Sequence, residues 1–272
     1  MLMKYKLLIT ALLVSVSATA QEYQSISSLE ASNTDFGSVD LNRYYLNSTY
    51  YFDKKSSIGP VDQFSYINTT NNLSASYSQS ETFSVDDNKY TSFNGEVYIN
   101  KLLIGGRYSD FNAADFSSNS YSMSLGYLFN ENFLLSSTVH KTEEIAATYT
   151  FLAKYNHQIN QTDYFGLSAT TDDEVDSKGI SATYFTALAD NKYLKVTAEY
   201  NDDELNGDHW RAKGEYYLND YTSAFLQYQK NDYQEIGAKH FFNDHIALSA
   251  SYLSHDNDND IEVFNLTLHL QL

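Results

Sequence analysis

Charged side chains recur at every second position in stretches whose intervening positions are apolar. Lys195, Thr197 and Glu199 alternate with Leu194, Val196, Ala198 and Tyr200, and Arg211, Lys213 and Glu215 alternate with Trp210, Ala212, Gly214 and Tyr216. A period of two puts the charges on one face of a strand and the apolar groups on the other. The same pattern points Glu30, Arg43, Glu96, Arg107, Lys154, Glu235 and Lys239 to the charged face. Ionised groups of both signs, spread over many strands, can attract and orient hydrated solutes but are not spaced to make or break bonds.

Catalytic patterns are missing. The chain contains no G-x-S-x-G, no H-E-x-x-H, no P-loop and, having no cysteine, no thiolate metal pattern. His140 and His240 read as isolated strand histidines, only the second with an outward orientation open to it, and a nucleophile needs its base within hydrogen-bond reach. The expectation is therefore neither an enzyme nor a cofactor protein.

Acidic residues outnumber basic ones, 35 to 17, for a net charge of -18. That balance argues against nucleic acid as a partner, because phosphate binding needs a basic footprint. Much of the excess falls in polar connections, at Asp172, Asp173, Glu174, Asp176, Asp202, Asp203, Glu204, Asp208, Asp256, Asp258 and Asp260. There it would concentrate cations, or bind divalent ones. The run from Asp256 begins like an EF-hand loop but has Ile261 where glycine is required and Thr267 where the bidentate glutamate is required, so a solvated loop is expected instead of a calcium site.

The elements that would carry these residues are strands. Aromatics make up 15% of the chain, which excludes disorder, and there is a single proline. Residues 1–20 combine Lys4 and Lys6, an apolar stretch and Ala18-Thr19-Ala20, the pattern of a cleaved secretory signal, which leaves residues 21–272 as one domain. Short polar turns near residues 100, 130, 160, 190, 219 and 243 recur about every 30 residues, the length of a hairpin, with the acidic connections midway between them. Segments of about ten residues suit a tilted transmembrane strand. A soluble sandwich would alternate too, but Phe129, Phe133, Tyr164, Phe165, Tyr193, Tyr216, Tyr217, Tyr221, Phe241 and Phe242 crowd beside the short turns, as an interfacial girdle would. The expected fold is all-β, a transmembrane antiparallel up-and-down barrel of 16 strands, or 14 if the first segments are not strands. Residues 53–70 form one long connection. A barrel of this size encloses an aqueous channel.

Tyr50-Tyr51-Phe52, Ile58-Gly59-Pro60-Val61, Tyr66-Ile67-Asn68 and the strand Leu73 to Tyr77 resemble the general bacterial porin family of small Gram-negative outer-membrane barrels, and the likeness spans the mature chain. The resemblance implies an outer-membrane diffusion pore and supplies no catalytic residues. One departure is the final residue, Leu272, where such barrels usually end in an aromatic; Phe264, Leu266, Leu268 and Leu270 keep the apolar alternation.

The resulting expectation is passive diffusion of small hydrophilic solutes and ions, with a weak cation preference set by the acidic mouth over a wall of mixed sign. The surroundings would be outer-membrane lipid and lipopolysaccharide, and the assembly a monomer or homotrimer. The alternative is a structural or adhesive barrel closed by residues 53–70, whose acidic loops bind ligands or cations.

Overall fold

A computed structural model describes residues 22–37, 39–82, 85–114, 116–203, 207–255 and 261–272. The expected signal at residues 1–20, Glu204 and the Asp256–Asp260 run lie outside the described residues. The chain forms sixteen strands: β1 Glu22–Asp35, β2 Asp40–Ser56, β3 Asn72–Thr82, β4 Val85–Ile99, β5 Leu102–Ala113, β6 Phe116–Asn130, β7 Phe133–Thr142, β8 Thr148–Gln158, β9 Tyr164–Asp172, β10 Ser177–Ala187, β11 Tyr193–Asp203, β12 Gly207–Asn219, β13 Thr222–Gln229, β14 Tyr233–Phe241, β15 Ile246–His255 and β16 Ile261–Gln271. Each pairs antiparallel with its sequence neighbours, and β1 pairs with β16 to close a barrel. Sixteen strands are present among the described residues, not fourteen.

Register follows the pattern of the sequence. Ala198 lies between Ala182 and Ala212, and Lys195 lies opposite Glu215, so each face keeps its parity from strand to strand. A slip of one residue would exchange the faces. The outer face carries a continuous apolar band that includes Leu46, Phe93, Met123, Leu125, Ile180, Leu226, Ile236 and Phe264; Met123 is 67% exposed. A surface of this kind is stable only against lipid. Closure ends at the last residue: the Leu272 carbonyl accepts from Gln24 N (2.6 Å) and Ser25 N (2.8 Å), and Leu272 N donates to Ser25 O (2.8 Å).

The short turns owe their recurrence to asparagine. Asn130 Oδ1 accepts from Asn132 N, Asn219 Oδ1 from Tyr221 N, and Asn243 Oδ1 from His245 N, each at 2.8 Å. These Asx turns reverse the chain within a few residues. The exception is the connection between β2 and β3. β2 runs on to Ser56, so the connection is residues 57–71, shorter than the expected 53–70 at its start.

Candidate functional site

The inner face of the barrel divides into two sectors. Across β3 to β7 it is lined by hydroxyls paired between strands: Ser76 with Ser92 (2.8 Å), Ser109 with Ser120 (2.7 Å) and Ser124 with Thr138 (2.8 Å). Each pair satisfies itself, and Glu96 and Arg107 are the charged side chains among these hydroxyls. Across β11 to β14 the wall is charged. Arg211 Nη2 bonds Glu199 Oε2 at 2.6 Å, Glu215 accepts from Ser223 Oγ at 2.7 Å, and Glu235 accepts from Gln227 Nε2 at 3.1 Å.

The residues expected on the charged face all stand opposite the apolar band, but they do not form one group. Lys195, Glu199, Arg211, Lys213 and Glu215 share a cavity of about 520 Å3, with Glu235 and Lys239 on the neighbouring β14. The others are dispersed over distant strands. Arg43 donates to Ser78 Oγ at 3.3 Å, Glu96 accepts from Asn72 at 3.0 Å, and Arg107 donates to the Tyr90 hydroxyl. Lys154 lies on β8, and Glu30 lies between Thr267 and Tyr45. The histidines are not isolated: His140 Nδ1 bonds Ser122 Oγ (2.8 Å) and His240 Nδ1 bonds Thr222 Oγ1 (2.9 Å). Both are cross-strand pairs that sequence distance conceals.

Residues 57–71 fold inward as a strap. Its first half docks on the wall from β11 to β16. Asp62 Oδ2 lies 2.5 Å from Lys239 Nζ, with the two side chains 13% and 24% exposed. Gln63 Nε2 donates to the Tyr217 hydroxyl at 2.6 Å, Lys195 Nζ donates to Gln63 Oε1 at 3.1 Å, and Gln271 Nε2 donates to the Val61 carbonyl at 3.2 Å. Val61 is fully buried against Phe241 and Ala247. The second half docks across the barrel: Ile67 packs on Leu103, Leu128 and Leu134 of β5, β6 and β7, and the Tyr98 hydroxyl bonds the Asn68 carbonyl at 2.8 Å. β6 and β14 are eight strands apart in a ring of sixteen, so the strap reaches opposite walls. On its turn side lies a second polar cavity of about 720 Å3, bordered by Asn100, Glu131 and Asn132. Ser65 borders both cavities.

Burial by itself raises the pKa of the Asp62 carboxyl. The charge and hydrogen bond of Lys239, the hydrogen bond of Gln63 and the charge of Lys195 outweigh it and hold the group below its ordinary value of 3.8. The carboxylate is the form that the site stabilises.

The aromatic girdle needs correction. Phe129, Tyr216, Tyr221 and Phe242 are exposed outside, but Tyr164, Tyr217 and Phe241 are 3%, 2% and 4% exposed and face inward. Tyr164 stacks on Phe185 (5.7 Å) and Tyr66 of the strap leans on Tyr164 (5.8 Å), while Tyr193 stacks on the other side of Phe185 (5.8 Å). Adjacent residues on a strand point to opposite faces, so of Tyr164-Phe165, Tyr216-Tyr217 and Phe241-Phe242 only one member each can meet lipid. The doublets were the signal that something apolar sits inside the barrel.

The model of a family described as "Putative general bacterial porin" matches residues 2–272. No curated protein matches the sequence. Among solved structures, the chain is similar to the outer membrane protein Omp33 of Acinetobacter baumannii, with 15% identity and a TM-score of 0.57 over 93% of this chain and 100% of that one. It is also similar to OpdQ of Pseudomonas aeruginosa, with 10% identity and a TM-score of 0.53 over 91% and 98%. A triple mutant of Rhodopseudomonas blastica porin gives 11% and 0.53 over the same shares. At these identities the structural likeness is one of fold.

Proposed function

Starting from the fact that this chain belongs to the family of general bacterial porins and sits in the outer membrane, we propose that it carries small hydrophilic solutes and ions by passive diffusion with a weak cation preference. The observation that carries this reading is the closed sixteen-strand ring, apolar outside and polar or charged inside, because a barrel of that strand number encloses water. Arg43, Glu96, Arg107, Lys154, Lys195, Glu199, Arg211, Lys213, Glu215, Glu235 and Lys239 line the path. The wall is mixed in sign, and the acidic rim formed by Asp173 and by the strand ends at Asp172, Asp202 and Asp208, the last two paired with Lys178 and Lys230, enriches cations at the far mouth. Residues 1–20 act as the export signal, and the strands meet outer-membrane lipid and lipopolysaccharide as a monomer or homotrimer.

The test is reconstitution of residues 21–272 into a planar bilayer under a potassium chloride gradient. Stepwise conductance with a reversal potential of cationic sign is expected; a barrel that inserts and stays silent would sink free diffusion. A second reading, a barrel closed by its own strap, is favoured by the wall-to-wall docking of residues 57–71. Replacing residues 58–70 with a short glycine-serine linker decides between them. Current that appears only in the strapless barrel makes the strap a closure, whereas equal current in both leaves it a bystander.

A further inference from the structure

The cavity between the strap and the charged wall contains two ammonium groups that no carboxylate neutralises at contact. Among the described residues, no acidic oxygen lies within 4.0 Å of Lys195 or Lys213. The acids nearby are engaged elsewhere. Glu199 is taken by Arg211, Asp62 by Lys239, Glu235 by Gln227, and Glu215, directly opposite Lys195 on the ladder, by Ser223. Lys195 reaches only a neutral amide, Gln63 Oε1, and Lys213 has its ammonium 3.7 Å from the centre of the Phe225 ring. Lys213 pairs with Thr197, two residues from Lys195 on β11, so the two lysines are diagonal neighbours about 7–8 Å apart. Four-carbon stems let both ammoniums converge on one anion.

We propose that this cavity is a binding subsite for small monovalent carboxylates, held by Lys195 and Lys213 and flanked by the Thr197 hydroxyl. The proposal rests on the diffusion reading and refines it by naming the solute class. A volume of about 520 Å3 holds a small organic acid and its water. A carboxylate accepts two charge-assisted hydrogen bonds here and relieves the repulsion between the lysines. Doubly charged anions are disfavoured because they must pass the acidic mouth and because Glu199, Glu215 and Glu235 surround the site.

The experiment uses sodium lactate as the probe and glycerol as the neutral solute of similar size. Lactate binding to the detergent-solubilised mature protein is measured by calorimetry, and the fluxes of both solutes are measured in vesicles. Saturable lactate binding and a measurable lactate-to-glycerol flux ratio are expected in the parent protein. In the Lys195→Met, Lys213→Met double variant both should fall about tenfold. Lys213→Arg should restore part of the ratio, and Lys54→Met, on the outer face, should leave it unchanged. A circular-dichroism β signature and insertion into vesicles check that each variant is folded. Parent protein that does not bind lactate, or a double variant that binds it as the parent does, overturns the proposal. Lactate binding that needs both lysines, without flux of either solute, upholds the subsite and overturns the diffusion reading instead.

Discussion

Asp62 and Lys239 show what a charge pair does inside a polar lumen. With the partners only 13% and 24% exposed, each ion is stabilised mainly by the other. Removing one leaves a poorly solvated charge, which typically costs about 3 kcal/mol, whereas removing both costs much less. Lys239→Met should therefore loosen the strap more than the Asp62→Asn, Lys239→Met pair does, measured as the rate of protease cleavage within residues 57–71 of the reconstituted barrel. The pH dependence has a definite sign. The folded carboxyl titrates below its ordinary value of 3.8, so its contribution is fully present above that value and is lost as the pH falls through the lower folded value. The strap should stay docked from pH 5 to 8 and become cleavable by an acid-active protease only below about pH 4.

Among the elements, the strands were legible and the strap was not. Strands announce themselves because alternation must persist for a dozen residues to keep lipid outside, and because an asparagine at the start of a turn can cap its own backbone, as Asn130, Asn219 and Asn243 do. The strap has no period. Gly59 with φ of 130° and Pro60 mark a bend, but nothing local tells where Ile67 will land. Its location is written on the wall, in inward aromatics such as Tyr164, Phe185 and Tyr217 and in the bare backbone of Gly166. The cavity residues were legible as an inward set because parity alone decides it; which of them cluster depends on strand register and on the strap. A Cβ on Gly166 would lie 2.5 Å from the Tyr66 ring, far inside contact distance. Gly166→Ala should weaken strap docking by about 1–3 kcal/mol, while Gly214→Ala, where a Cβ meets nothing within 4 Å, should leave it unaffected. Protease cleavage of the strap in the two variants provides the comparison.

The whole molecule places its fields at different depths. Acidic groups gather at one rim, where Asp173 and Asp208 are exposed, and the paired charges of the wall lie in the lumen. Screening separates the two, because the Debye length shrinks from about 10 Å at 0.1 M salt to about 3 Å at 1 M. Reversal potentials should show cation preference in dilute potassium chloride and almost none near 1 M; preference that survives concentrated salt would move selectivity to the wall. The ring also dictates an order of assembly. The strap belongs to the second hairpin, yet Tyr217, Lys239 and Gln271, on which it docks, belong to the last third of the chain. Contacts so distant in sequence form late, because the loop entropy must be lost before they repay it. The first half of the strap therefore waits, undocked, until the C-terminal strands are built and β16 meets β1, while Ile67 and Asn68 can settle earlier on β4 to β7. Barrel closure and lumen filling become one event, so damage to the last strand should appear first as an unfilled interior.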